Sequence, residues 1–174
     1  MKRYTFPMAF SAFLSLFFVI TISAQGTTFD DKNVEYTFDL PDSLWKMTVK
    51  PSSASPNVEY VYGTRSDGHL EIRKASVKAD DMLSDVILRE QEQRLQFKPG
   101  FVAGKEENFA GNYRGSVFNF EYTQSGKNMS GRYYFLRAND TTVYVLRFTG
   151  LRNQLLSIRN QIDSIGRTFK VKAS

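Results

Sequence analysis

The chain has 174 residues, the length of a single globular domain, and a formal net charge of +5. It contains no cysteine, which excludes disulfides, thiol chemistry and the cysteine-linked lipid anchor of bacterial lipoproteins. Basic and acidic residues are interspersed instead of clustering on one arm, which argues against a nucleic-acid partner. The 15 Phe and 9 Tyr residues favour strands, because aromatic rings pack well on a pleated sheet surface.

The N-terminus has the pattern of a secretory signal. Two basic residues precede an almost wholly apolar run at residues 8–22, and Ala24 offers a small residue at the cleavage point. Residues 1–24 are therefore predicted to be a signal peptide, and residues 25–174 a single mature domain. The product is expected to be periplasmic or secreted.

A retained membrane anchor is the alternative for this N-terminal segment. Ile22 stands where a small residue is preferred for cleavage. The apolar run is nevertheless shorter than the ~20 residues that span a membrane comfortably. No other segment of the chain is apolar enough to cross, so no transmembrane segment is expected after the signal is removed.

The first part of the mature chain alternates between apolar and polar residues. Residues 25–33 are polar and predict a loose lead-in, whereas residues 34–40 and 45–49 alternate as half-buried strands. The proline-led turn between these two strands predicts that they pair as a hairpin. Two more strands are predicted at residues 58–62 and 70–77, joined by a turn over residues 64–68.

Two helices and three strands are predicted next along the chain, before a short final strand. Acidic residues at Asp80 and Asp81 favour a helix start, and the helix is expected to stop before residues 99–100. Strands follow as far as Phe148, and the last of them is apolar on both faces, which is typical of a covered central strand. A stepped apolar pattern over residues 151–165 predicts the second helix, with Gly166 as its C-terminal cap.

A short final strand closes the predicted order of elements. Hairpin-length loops make the sheet mainly antiparallel. The sequence thus predicts an α+β domain, in which a mainly antiparallel, twisted sheet of about six to seven strands packs against two helices.

This layout resembles the PsbP-like superfamily, which includes photosystem accessory proteins and DcrB-like periplasmic proteins. Residues 36–41 followed by Trp45 are similar to the opening of that family, and the strands over residues 117–148 are similar to its central meander. Residues 162–165 leading to residues 168–171 resemble its closing helix and strand. The resemblance implies a non-enzymatic accessory subunit, assembly factor or binding module. It transfers no functional residue, because no motif matches residue by residue.

Catalytic and metal-binding patterns are weak throughout the chain. His69, the single histidine, follows a predicted turn and is expected to be solvated. Glu121 is expected to lie on the solvent face of a strand beside a basic neighbour, although a glycosidase-like carboxylate pair stays open. Asp80, Asp81 and Asp85 fit helix capping better than calcium binding, because the spacing of a calcium loop is absent. No catalytic residue, metal ligand or cofactor is predicted.

An arginine–aromatic mixture on the sheet is the candidate binding site. Arg132 and Tyr134 are expected to share a face, and Arg73 and Arg147 lie on other strands. If all four face the same side, they would bind an anionic or planar ligand or a partner surface. The alternative is a solvated sheet face with cross-strand charge pairs.

The function predicted from these features is that of an exported, non-catalytic accessory or binding module. Its partner is expected to be a protein or another component of the cell envelope. Two alternatives stay open: a small-molecule-binding periplasmic protein with a pocket between sheet and helix, and a carboxylate-dependent hydrolase.

Overall fold

A computed structural model describes residues 26–172 of the chain. The predicted signal peptide, residues 1–24, lies outside the described residues. Within residues 26–172 the chain forms ten strands and three helices. The strands are β1 (Thr27–Asp30), β2 (Tyr36–Leu40), β3 (Trp45–Val49), β4 (Val58–Tyr62), β5 (Thr64–Ser76), β6 (Val102–Ala110), β7 (Arg114–Gln124), β8 (Lys127–Asn139), β9 (Thr142–Leu151) and β10 (Lys170–Val171). The helices are α1 (Leu83–Glu90), α2 (Arg152–Ser157) and α3 (Arg159–Thr168).

Seven of these strands form one antiparallel sheet in the order β3-β4-β5-β9-β8-β7-β6. Strand β9 lies at its centre and buries alternate side chains on both faces, Tyr144 and Leu146 on one and Val143 and Val145 on the other. The predicted α+β class and the predicted central strand are confirmed. None of the helices in residues 26–172 is long and apolar enough to cross a membrane.

The two faces of the large sheet carry separate cores. On the α3 face, the sheet packs against α2, α3 and a small second sheet, with Tyr134 and Ile162 both fully buried. On the α1 face, Val86 and Ile87 of α1 cover a layer of aromatic and branched residues that includes Phe135. The two sides of the large sheet are thus the α3 face and the α1 face.

The predicted hairpin between residues 34–40 and 45–49 is wrong. Strand β2 pairs with β1 and β10 in the second, three-stranded sheet, whereas β3 pairs with β4 in the large sheet. Strand β1 lies in the predicted loose lead-in, where Phe29 alone is buried and stacks on Phe38 at 4.8 Å between ring centroids. An edge strand can leave its polar side chains in solvent, so the single buried ring of Phe29 is sufficient to hold β1 in place.

The predicted helix over residues 151–165 is two helices. They meet at Ile158, whose φ of −100° and ψ of 12° break the regular turn, although the stepped residues Leu155, Ile158, Ile162 and Ile165 are all buried as the pattern requires. Gly166 is not a cap, because α3 continues to Thr168. A Cβ on Gly166 would lie 3.1 Å from a ring carbon of Tyr134, so the glycine allows α3 to approach the sheet closely.

The first helix begins later than predicted. It starts at Leu83, and the carboxylate of Asp85 accepts a hydrogen bond from the Met82 backbone N–H at 3.1 Å. Asp81 instead lies in the preceding turn, where it binds Arg89 at 2.7 Å. After Glu90 the helix continues as a π-helical turn over Gln91–Leu95.

Candidate functional site

The four residues predicted to form one surface lie on opposite faces of the large sheet. Arg132 and Tyr134 share the α3 face, as predicted, and both contact Asp163 of α3. Arg73 and Arg147 lie on the α1 face, where both contact Glu71. The structure therefore brings together two pairs, and no common surface holds all four residues.

A solvated sheet face, the alternative expectation, does not describe these arginines either. Arg132 and Arg147 are 7% and 6% exposed. Each is held by several carboxylates or polar groups, because a buried charge is stable only when it is paired and hydrogen-bonded. Their charges are part of the interior of the protein.

The pair on the α1 face forms an ion network beneath α1, in which Arg147 Nε is buried without a hydrogen-bond partner among the described residues. Arg147 donates from Nη1 to Glu71 at 3.2 Å and from Nη2 to Glu90 at 2.9 Å. Arg73 Nε donates to Glu71 at 2.8 Å. Burial opposes ionisation of Glu71, but the hydrogen bonds and charges of Arg73 and Arg147 hold its pKa below the ordinary value. This network ties β5, β9 and α1 together.

The pair on the α3 face has a different arrangement. Arg132 Nε donates to the Tyr134 hydroxyl at 2.8 Å and to Asp163 Oδ1 at 3.0 Å. Its Nη1 donates to Asn119 Oδ1 at 2.8 Å and is 3.4 Å from Glu107 Oε2. Its Nη2 makes no hydrogen bond within residues 26–172 and is not sealed from solvent. One edge of a buried guanidinium is thus left open.

The pKa values of Arg132 and Tyr134 are both raised in this cluster. Burial opposes the charge of Arg132, but the neighbouring Tyr134 and Asp163 more than compensate and raise its pKa. Burial also raises the pKa of Tyr134, whose hydroxyl donates to Asp163. Arg132 is therefore a permanent cation, and Tyr134 is a permanent hydrogen-bond donor.

Arg132 lines a groove between β6–β8 and helices α2 and α3. The groove has a volume of about 300 Å³. One wall is apolar and consists of Leu155 and Leu156. Its charged lining residues are Lys105, Arg132, Arg152, Arg159, Glu107 and Glu121.

Glu121 behaves as the sequence predicts for a strand-borne carboxylate on the solvent side. Its side chain is 49% exposed, and Oε1 lies 2.9 Å from Arg152 Nε. Glu107 also lines the groove, and its Oε2 is 3.4 Å from a nitrogen of Arg132 and 3.4 Å from a nitrogen of Arg159. Both carboxylates of the groove lining therefore already face cations.

The expectation that His69 is solvated is wrong. It lies within β5, is only 9% exposed, and its Nε2 is 2.8 Å from Glu59 Oε2. The chain reverses earlier, at Gly63 with φ of +63°, and residues 65–68 form a bulge that the sequence presents as a turn. In the described part of the chain, no three His, Cys, Asp or Glu side chains are grouped to hold a metal ion.

Four contact residues of the site were not predicted from the sequence: Glu107, Asn119 and Arg159 in the groove lining, and Asp163, which contacts Arg132 but does not line the groove. Asp163 had a recognisable signal, since it follows Ile162 directly at the edge of the apolar stripe of α3. An acid at that position is partly turned toward the sheet. Glu107 and Asn119 had none, because they resemble ordinary polar residues of exposed strand positions.

Known proteins resemble this chain in structure and not in sequence. No family model matches the chain, and no curated protein matches it. Among solved structures, LpqN of Mycobacterium tuberculosis, described as involved in cell envelope biogenesis, has a TM-score of 0.57 at 17% identity, over 86% of this chain and 91% of that one.

Two further structures are similar over most of their length. Cyanobacterial PsbP from Synechocystis sp. PCC 6803 has a TM-score of 0.60 at 13% identity, over 91% of this chain and 98% of that one. The Ran-binding protein Mog1p of Saccharomyces cerevisiae has a TM-score of 0.60 at 10% identity, over 86% and 96%. At these identities the likeness concerns the fold, and this chain has the PsbP-like fold.

Proposed function

We propose that this protein is an exported, non-catalytic binding module that holds a protein of the cell envelope in the groove between β6–β8 and α2–α3. The observation that carries the proposal is the buried Arg132 in the groove lining, whose Nη2 makes no hydrogen bond within residues 26–172. A buried guanidinium with an unused donor is suited to bind a partner group that supplies the missing acceptor.

The chemistry of the groove favours binding over catalysis. Glu107 and Glu121 contact arginines, and Asp163 contacts both Arg132 and Tyr134. A general acid or base must be free to exchange a proton with a substrate, and Asp163 and Glu121 are held by close contacts. The hydrolase alternative therefore receives no support from the geometry of Glu121.

The description of one similar structure supports a binding role, and that of another supports the cell envelope. Mog1p is described as Ran-binding, and LpqN as involved in cell envelope biogenesis. The N-terminal pattern adds export, which makes the envelope the compartment of the partner. Export itself is tested by fractionation of the tagged protein, with a mature N-terminus at Gln25 as the expected result.

Site-specific photo-crosslinking in the cell tests the binding role. A photoreactive residue at Leu156, which is 57% exposed on the groove wall, should form a discrete adduct with an envelope protein. The same residue at Phe97, which is 73% exposed but does not line the groove, is the matched control. The proposal is contradicted if the Leu156 adduct is absent, or if Phe97 forms the same adduct with equal yield.

A further inference from the structure

We propose that the groove recognises a carboxylate side chain, presented next to an apolar side chain in an acidic segment of the partner protein. In the free protein, Glu107 occupies the place of that carboxylate. This inference rests on the proposed binding function and specifies the chemistry of the same groove. Three observations lead to it: the donor geometry at Arg132, the loose contacts of Glu107, and the wall beside them.

The first observation is the donor that Arg132 presents. Its side chain is 9% exposed, and its Nε and Nη1 are both engaged, so the guanidinium is held in one orientation. The open Nη2 lies on the same fork as Nη1, whose contact to Glu107 is long. A planar carboxylate matches two adjacent guanidinium nitrogens, so this edge fits a carboxylate better than a single-point acceptor.

The second observation is the looseness of Glu107. Its Oε2 is 3.4 Å from Arg132 Nη1 and 3.4 Å from Arg159 Nη2, both longer than the usual 2.7–3.2 Å for such bonds. The Glu107 side chain is 41% exposed and stands on β6, the edge strand of the sheet. A side chain held by two long contacts at an edge can swing into solvent and release both cations.

The third observation is the balance of charge and apolar surface. The groove lining has four basic residues against two acidic ones, and Asp163, which pairs with Arg132 outside the lining, leaves an excess of one positive charge. Lys105 makes no ion pair within the described part of the chain. The groove therefore attracts an additional negative group. Leu155 and Leu156 line the opposite wall, so the occupant that fills both parts has an apolar side chain beside its carboxylate.

The concave shape decides between a protein segment and a membrane surface. A flat bilayer could reach the exposed side chains of Arg152 and Arg159, but not the side chain of Arg132, which is 9% exposed. A peptide side chain can enter a groove of about 300 Å³. The geometry therefore favours an acidic protein segment.

Peptide titration of the purified, exported protein tests the inference. The probe is a fluorescent, amidated peptide of alternating Leu and Glu, and its control is the same peptide with Gln in place of Glu. By fluorescence anisotropy, the Glu peptide should bind at least about tenfold more tightly, because the Gln peptide cannot pair with the fork of Arg132. Equal affinity for the two peptides overturns the inference.

The decisive variant is Glu107→Gln, which removes the internal competitor. It should bind the Glu peptide about three- to fivefold more tightly than the unaltered protein, the size of one exposed ion pair. The matched control is Glu106→Gln, the same change on the neighbouring residue, which pairs with Phe118 of the α1 face and should leave affinity unchanged. An unchanged or weakened affinity in Glu107→Gln overturns the inference.

Removal of a basic residue of the groove should weaken peptide binding, whereas removal of Glu107 should strengthen it. Arg159→Gln should weaken binding about three- to fivefold, whereas Lys46→Gln, an exposed change on β3 at the other edge of the sheet, should not. Arg159 and Lys46 are both exposed, so these variants should fold normally. Substitution of the buried Arg132 would instead disturb folding, and the test does not need it. Equal weakening by the two variants indicates a non-specific charge effect and overturns the inference.

Other anions and the cellular adduct complete the test. Inorganic phosphate and phosphatidylglycerol vesicles should not displace the Glu peptide at millimolar concentration, and displacement by either overturns the choice of a protein segment. If the Leu156 adduct forms in cells but is insensitive to Glu107→Gln and Arg159→Gln, the carboxylate inference is overturned while the binding role stands. If the adduct itself is absent, the binding role fails.

Discussion

Arg132 and Asp163 form an ion pair between β8 and α3, with Arg132 Nε 3.0 Å from Asp163 Oδ1. Their side chains are 9% and 15% exposed, and the Tyr134 hydroxyl contacts both. The same contact joins the helix to the sheet and sets the direction of the open guanidinium edge. The candidate site and the stability of the α3 face are therefore coupled through two residues.

Substitution of Asp163 should be strongly destabilising. In Asp163→Asn, Arg132 keeps its charge and its buried position but loses its closest carboxylate, which should cost about 2–4 kcal/mol in the free energy of unfolding. Urea denaturation followed by circular dichroism measures it. The control is Glu121→Gln, which breaks an exposed pair with Arg152 and should cost less than about 1 kcal/mol. Equal losses in the two variants would contradict this coupling.

The pairing of Gly131 with Phe120 should be sensitive to a single methyl group. The two residues face each other across β8 and β7, and a Cβ on Gly131 would lie 2.1 Å from Cζ of the Phe120 ring. Gly131→Ala should therefore destabilise the protein by about 1–3 kcal/mol through overpacking. A neutral or stabilising effect would show that the ring moves freely.

A double variant separates this clash from a general effect of alanine. In Phe120→Leu the far end of the ring is absent, so adding Gly131→Ala should cost less than it does in the unaltered protein. Thermal and urea denaturation of the four proteins give the coupling energy. Strict additivity would mean that the ring and the missing Cβ do not interact.

The contact between Glu90 and Arg147 should hold α1 on the sheet. Glu90 Oε2 lies 2.9 Å from Arg147 Nη2, immediately before the π-helical turn. In Glu90→Gln the buried arginine loses one of its two carboxylates, and the helix should open more often. Amide hydrogen exchange over residues 83–95 is expected to accelerate by about tenfold or more.

The control for this helix is Glu92→Gln, an exposed change on the same π-helical turn. It should leave the exchange rates unchanged, as should α3 in both variants. If exchange accelerates equally over α1 and α3 in Glu90→Gln, the loss is global and α1 is not a separately held element.

Glu35 should make stability depend on acid pH. Hydrogen bonds from Lys74 Nζ at 2.6 Å and the Tyr144 hydroxyl at 2.6 Å lower its pKa from 4.5 to about 2. Because the folded state lowers the pKa, the stabilisation is present above pH 4.5 and is lost as the pH falls toward 2. The side chain is 43% exposed, so solvent screening reduces the contribution to about 1 kcal/mol.

Denaturation of Glu35→Gln across the acid range tests this dependence. The variant should be less stable than the unaltered protein by about 1 kcal/mol at pH 7, and the gap should close near pH 2. A gap that stays constant from pH 7 to pH 2 would show that ionisation of Glu35 contributes nothing.

Local side-chain patterns predicted much of the fold. The strands over residues 117–148 and the buried stripe of Leu155, Ile158, Ile162 and Ile165 follow the sequence, because periods of two and 3.6 residues are properties of one segment. The same reasoning found the neighbours of β8 correctly but failed for β2. Alternation at residues 36–40 indicates a strand, but it does not say that β1 and β10 are its neighbours.

The candidate site shows this division most clearly. The sequence by itself determined that Arg132 and Tyr134 share a face, since residues two apart in a strand point the same way. Only the tertiary structure decided that Arg147 points to the opposite face. Arg132 pairs in register with Phe148 across β8 and β9, so the residue before Phe148 must point away from Arg132. Register depends on contacts between distant segments, and no single segment encodes it.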